Sequence, residues 1–128
     1  MTPAKPLASV SLDVDNLWSY MKTHGDAGWE GRPSYLHAFI PTVLDVLDQL
    51  GLRITFFIVG VDADREENAE VFPALTRCGH EVGNHSYQHE PWLHLYSQEQ
   101  LEGGNRQGGT GDPASDRPAP AWISRAKL

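Results

Sequence analysis

Apolar residues along this chain fall into short blocks with two periodicities. Residues 8–12, Ala-Ser-Val-Ser-Leu, form an apolar run of strand length, followed by an Asp-rich turn. Residues 16–33 hold Trp18, Tyr20, Trp29 and three glycines without a clear period, which predicts a long loop. From 34 to 50 the apolar side chains stand at 36, 39, 40, 43, 44, 47 and 50, the spacing of one buried helical stripe, and Gly51 ends it. Pro41 interrupts that stripe and predicts a restart or a kink. Residues 54–59, Ile-Thr-Phe-Phe-Ile-Val, read as a strand buried on both faces. Residues 64–78 are helical in character, broken or restarted at Pro73 and closed by Gly79. Residues 80–84 are a third strand. Ser97 opens a further helix, with Gln100 at the capping-box position.

Strands alternating with helices predict parallel β-α-β units, hence an α/β fold with three strands in the order β-α-β-α-β. No internal repeat stands out. Gly25, Gly28 and Gly31 lack the spacing and context of a phosphate-binding loop.

Charge and composition narrow the function. The chain has 128 residues and a net charge of −7, which excludes a general binder of nucleic acid or anionic membrane. No apolar run approaches the ~20 residues of a membrane span, nor the core of a signal peptide, so a cytoplasmic location is expected. A single cysteine, Cys78, excludes an internal disulfide and a multi-cysteine zinc site. It is expected to be a small buried residue near a helix end.

Two clusters carry candidate chemistry. Asp13-Val14-Asp15 follows the first strand, and His85-Ser86-Tyr87-Gln88-His89 follows the third. In consecutive parallel units the strand C-termini share one edge, where α/β sites are built. His85 and His89 are spaced i, i+4, which on a helical turn places both rings on one side. An isolated pair of this kind is common on solvated helix faces. With a carboxylate as third ligand, two imidazoles make an open, catalytic type of metal site. His24, His37, His80 and His94 are expected to be ordinary surface or loop histidines.

Leu12-Asp13-Val14-Asp15-Asn16, followed about 70 residues later by Gly83-Asn84-His85-Ser86-Tyr87-Gln88-His89, resembles the polysaccharide deacetylase (NodB homology) family of carbohydrate esterases. Thr55-Phe56-Phe57 between them is also typical of it. The resemblance implies an irregular (β/α) barrel of parallel strands, of which this chain would supply the N-terminal β-α-β-α-β portion. It also implies hydrolysis of acetyl groups from N-acetylated sugars with a divalent metal, Zn2+ first, with Co2+ or Ni2+ as alternatives. By position, Asp15, His85 and His89 would be the metal ligands and Asp13 the general base. Ser86 would bond within the histidine loop and hold ring orientation. Val14 separates two aspartates that are adjacent in the commoner Thr-Phe-Asp-Asp form. That variant resembles a branch of the family in which some members act on small cyclic amides. The partner is therefore an acetylated carbohydrate or a small amide. A cyclic-amide or ureide amidohydrolase, and a metal-binding fragment without turnover, remain alternatives.

The resemblance covers residues 7–102. The family's later motifs, an Arg-Pro segment, a pocket for the acetyl methyl and a late histidine acid, have no match, since Arg117-Pro118 lies in a low-complexity stretch without the aromatic that follows it in the family. Residues 103–120 hold five glycines and three prolines but no large apolar residue, and net charge changes from −9 before residue 103 to +2 after it. Residues 103–128 are therefore expected to be a disordered tail outside the family, from a truncated or frameshifted gene, with weak or no activity. A sheet left with three strands is expected to self-associate through its open edge.

Overall fold

The computed structural model describes residues 4–101. The β-branched and aromatic run around Phe56 forms the central strand, β2 (Thr55–Ile58), of a three-stranded parallel sheet. It lies between β1 (Ser11–Val14) and β3 (Glu81–Asn84). Ser11, Thr55 and Glu81 stand in one row of the ladder, and Val14, Ile58 and Asn84 in the last. Four helices connect and follow the strands: α1 (Leu17–His24), α2 (Leu36–Gln49), α3 (Gly60–Ala63) and α4 (Val71–Arg77). The predicted α/β order is thus found, as an open sheet among the described residues.

Strand alternation sorts the residues by face. Leu12, Val14, Phe56, Ile58 and Val82 point to the core, where Leu36, Ile40 and Leu47 of α2 and Phe72 and Leu75 of α4 meet them. Ser11, Asp13, Thr55, Phe57, Glu81 and Gly83 take the other face, which no described helix covers. The strand predicted to be buried on both faces is therefore fully buried on one only, with Thr55 and Phe57 half-buried. A Cβ at Gly83 would lie 2.6 Å from the Phe57 ring, so the missing side chain lets that ring lie across β3.

Several elements differ from the expectation. The first strand begins later than residue 8, so Asp13 lies within β1 and only Asp15 follows it. The expected loop at 16–33 starts with α1, whose N-cap is Asn16 and whose left-handed end is Gly25. Its stripe is too short to register as a period, since only Trp18 and Ser19 are buried. α2 runs unbroken through Pro41, while Phe39 and Leu50 fall outside its buried stripe. The single helix expected over 64–78 is divided into α3, a 3-10 turn at Glu66–Asn68 and α4. Pro73 sits in the first turn of α4, where its missing N–H costs nothing. The Ser97 capping box forms: Ser97 N–H donates to Gln100 Oε1 at 2.8 Å and Gln100 N–H to Ser97 Oγ at 3.2 Å. The expected disordered tail at 103–128 lies outside the described residues. Cys78 ends α4 as expected but is exposed, because its position falls past the buried stripe.

His80, expected at the surface, is buried at the start of β3. Ile54 N–H donates to its Nδ1 at 3.2 Å, and its ring meets Phe56 edge-on at 5.2 Å. Burial, then the Arg53 charge, holds its pKa below 6.5. The unfolded chain therefore binds the proton more readily than the fold does. The stability this histidine supports is complete above pH 6.5 and is lost as pH falls through the lower folded value. Urea unfolding between pH 7.5 and 5 should show stability falling with acidification, and a smaller fall in His80→Asn. Equal slopes in the two proteins would contradict this.

Candidate metal centre

The site stands at the C-terminal edge of the sheet. Neighbouring strands lie ~4.8 Å apart, so chains leaving β1 and β3 start ~10 Å apart with the end of β2 between them. Side chains from both sides close that gap. Asp15 leaves β1, and residues 85–89 leave β3 and fold over the turn after β2. His85 N–H still donates to Ile58 O at 2.9 Å, continuing the ladder by one residue.

The histidines are not on a helical turn, as their spacing suggested. Residues 85–90 form a loop, and Ser86 (φ 59°) and His89 (φ 50°) adopt left-handed backbone. The first two N–H groups of α3 fix this shape: Gly60 donates to Ser86 O at 2.9 Å and Val61 to Tyr87 O at 2.8 Å. The approach is so close that a Cβ on Gly60 would lie 3.1 Å from Tyr87 Cα and 2.4 Å from its ring. The loop still brings the imidazoles together, with ring centroids 5.2 Å apart. Ser86 Oγ accepts from Glu90 N–H at 3.3 Å, so it closes the loop.

Asp15 Oδ1 lies 3.4 Å from His85 Nε2 and 3.3 Å from His89 Nε2. That oxygen is buried and makes no hydrogen bond among the described residues. One ligand atom from each of these three residues falls within 4.8 Å of the others, the one such group among the described residues. Two readings compete. Protonated histidines would make ion pairs with Asp15. Neutral imidazoles and a carboxylate would share a cation. Ligands ~2.0–2.1 Å from a tetrahedral ion stand ~3.3–3.4 Å from one another, close to the separations from Asp15 to the two rings. Two imidazole nitrogens and an orphaned, buried carboxylate oxygen therefore fit a divalent cation.

Asp13 stands apart. It sits on the uncovered sheet face, its Oδ2 is 3.9 Å from His85 Nε2, and its side chain is 56% exposed against 11% for Asp15. Val14 between them is a core residue with 1% exposure.

Sequence reasoning missed what supports Asp15 from below. Asn16 caps α1, accepting from Leu17 N–H at 3.2 Å, and its amide donates to Ser34 Oγ at 2.9 Å and Asp62 Oδ1 at 3.1 Å. Trp18 Nε1 donates to the same Asp62 oxygen at 2.8 Å. Tyr35 OH donates to the Asp15 carbonyl. Asp62 is fully buried, and burial pushes its carboxyl up in pKa, against the opposing pull of the Trp18 and Asn16 donors and of Arg65. An Asn directly before an apolar residue is an N-cap signal that could have located α1. Nothing local marks Asp62.

Comparison with known proteins settles the lineage. Residues 18–108 match the sequence model of the polysaccharide deacetylase family. The chain belongs to that family. The matched span includes His85, Ser86 and His89 and begins after Asp15. A peptidoglycan-N-acetylglucosamine deacetylase of Bacillus cereus is 42% identical over 55 residues, which is 40% of this chain and 18% of that protein. The crystal structure of a protein described as a polysaccharide deacetylase, from Mycobacterium smegmatis, superposes with a TM-score of 0.54 at 27% identity. The superposition covers 79% of this chain and 39% of the other. This chain therefore spans well under half the length of either relative.

The close approach at Gly60 gives a test of how the loop is held. Gly60→Ala should destabilise the protein by about 1–3 kcal/mol in chemical denaturation, because the contact includes Tyr87 backbone that cannot swing aside. An unchanged midpoint would show that the loop packs more loosely than described.

Proposed function

We propose that this chain carries the metal-binding half of a hydrolase site that removes acetyl groups from N-acetylated sugars. The observation that carries the reading is the convergence of Asp15 Oδ1 with the Nε2 atoms of His85 and His89, beside a second carboxylate that stays outside the group. Family membership and the peptidoglycan deacetylase relative support an acetamido sugar as the substrate class. The uncovered sheet face supports a barrel wall, since a barrel needs helices on one face only.

Asp15, His85 and His89 would hold the ion, with Zn2+ the first choice for a nitrogen and carboxylate set and Co2+ or Ni2+ as alternatives. Such an ion, when bound, supplies Lewis acidity to an amide carbonyl and brings the pKa of a water toward ~7. Asp13 would act as general base. Its carboxylate is exposed enough to meet a water from solvent and near enough to His85 to reach the same space. In that role it would take a proton from the attacking water and return it to the nitrogen as the C–N bond breaks, giving acetate and the free amine. Ser86 keeps the histidine loop closed by accepting from Glu90 N–H.

Zn2+ titration of the full chain is expected to show one site, lost in Asp15→Ala, His85→Ala and His89→Ala. Asp13→Ala should keep the ion and lose hydrolysis, about 10²–10⁴-fold for a general base. Loss of Zn2+ in Asp13→Ala as complete as in Asp15→Ala would reverse the two roles. Acetate release from an N-acetylglucosamine oligomer is the activity readout.

A further inference from the structure

We propose that Lys22 is a positioning residue that holds His89 in ligating geometry from across the fold. The proposal rests on the metal reading of the site and adds a residue that acts on it from α1.

His89 needs an external restraint. Its backbone is left-handed, and so is that of Ser86 three residues earlier. Such conformations in residues other than glycine persist only where surrounding contacts over-determine them. The usual restraint on a ligating histidine is a hydrogen bond from its second ring nitrogen to a carboxylate or carbonyl. Among the described residues His89 lacks it: Nδ1 is buried and makes no hydrogen bond. The loop backbone that carries the ring, together with its edge-on contact with His85, is then what sets its position.

Lys22 holds the residues on either side of His89, one through its carbonyl and the other through its side chain. Its ammonium donates to the carbonyl of Gln88 at 2.8 Å and to Glu90 Oε1 at 3.1 Å, the residues immediately before and after His89. The pair is sheltered, with Lys22 and Glu90 side chains 18% and 24% exposed. Both ends are tied down. Tyr96 OH donates to the other Glu90 oxygen at 3.0 Å. The Lys22 ammonium stands 5.5 Å from the Trp29 ring centre, and Trp29 packs on Trp18 at 5.9 Å. Trp18 in turn is bonded to buried Asp62. A path of direct contacts thus joins the packed base of α1 to the loop that carries His89. Lys22 touches neither Asp15 nor the imidazoles by any hydrogen bond or ion pair described for it, so its effect passes through the loop.

The test is Zn2+ affinity of the full chain, measured by competition with a chromophoric chelator, beside thermal melting of the metal-free protein. Lys22→Met should weaken Zn2+ about 10–100-fold, the range for lost supports of metal ligands, with only a modest fall in the metal-free midpoint. Lys22→Arg, which can donate to both the carbonyl and the carboxylate, should restore most of the affinity. Lys22→Met binding within two-fold of wild type overturns the proposal, and so does Lys22→Arg losing as much as Lys22→Met. If Lys22→Met does not fold, Glu90→Gln takes its place, with a several-fold loss expected and unchanged affinity overturning the proposal. A wild-type chain that binds no Zn2+ overturns the metal reading itself, and this proposal with it.

Discussion

One buried carboxylate oxygen holds together the parts of the molecule that matter for the site. Asp62 Oδ1 accepts from Trp18 and Asn16, and Arg65 Nε stands 3.5 Å away. These donors come from α1, from its cap and from the segment after α3. Asn16 directly follows Asp15, so the carboxylate that orients Asn16 also fixes where the chain leaves β1. Ser34 and Asn68 extend the network, with Ser34 Oγ donating to Asn68 Oδ1 at 2.9 Å and Asn68 Nδ2 to Asp62 O at 2.8 Å. A carboxyl buried this deeply is tolerable only with its partners in place, because a lost partner leaves a buried polar group unsatisfied at a cost of about 1–3 kcal/mol. The network is therefore a constraint on α1, on the start of α2 and on the turn below the site together.

The site inherits its geometry from strand order. Parallel strands bring Asp15 and the histidine loop to one edge, and β2 ends in the same row as its neighbours before the chain turns into α3, so they meet above its end. The two aspartates receive different surroundings because the strand stops between them. Asp13 keeps its place on the open face of β1. Asp15 departs from the strand and turns in toward the imidazoles. One motif thus yields a sheltered ligand candidate and an accessible base candidate.

What could be read from the residues alone follows from how local each signal is. The α2 stripe and the apolar run of β2 carry their own periods, and both were legible. The capping box at Ser97 was legible for the same reason. α1 was not, because eight residues with a buried serine and an exposed tyrosine show no stripe. The two histidines were legible as a pair, but their spacing pointed to a helix. A loop with two left-handed residues achieves the same convergence by another route, and only the close packing against Gly60 makes that route available. Lys22 and Asp62 act through contacts made more than forty residues away. His80 was misplaced because a histidine next to a glycine gives no hint that its ring will fill the base of a sheet.

Val14 shows how such a motif behaves under change. It is flanked by the two carboxylates of the site, yet its side chain faces the other way, among Leu36, Ile40 and Ile58. On the proposed reading its neighbours would answer to chemistry, and a lost oxygen is what they could not absorb. Val14 answers to volume and shape. A saturation library across this tripeptide would return two selection rules interleaved at single-residue resolution: isoleucine or leucine accepted in the middle and rejected on either side.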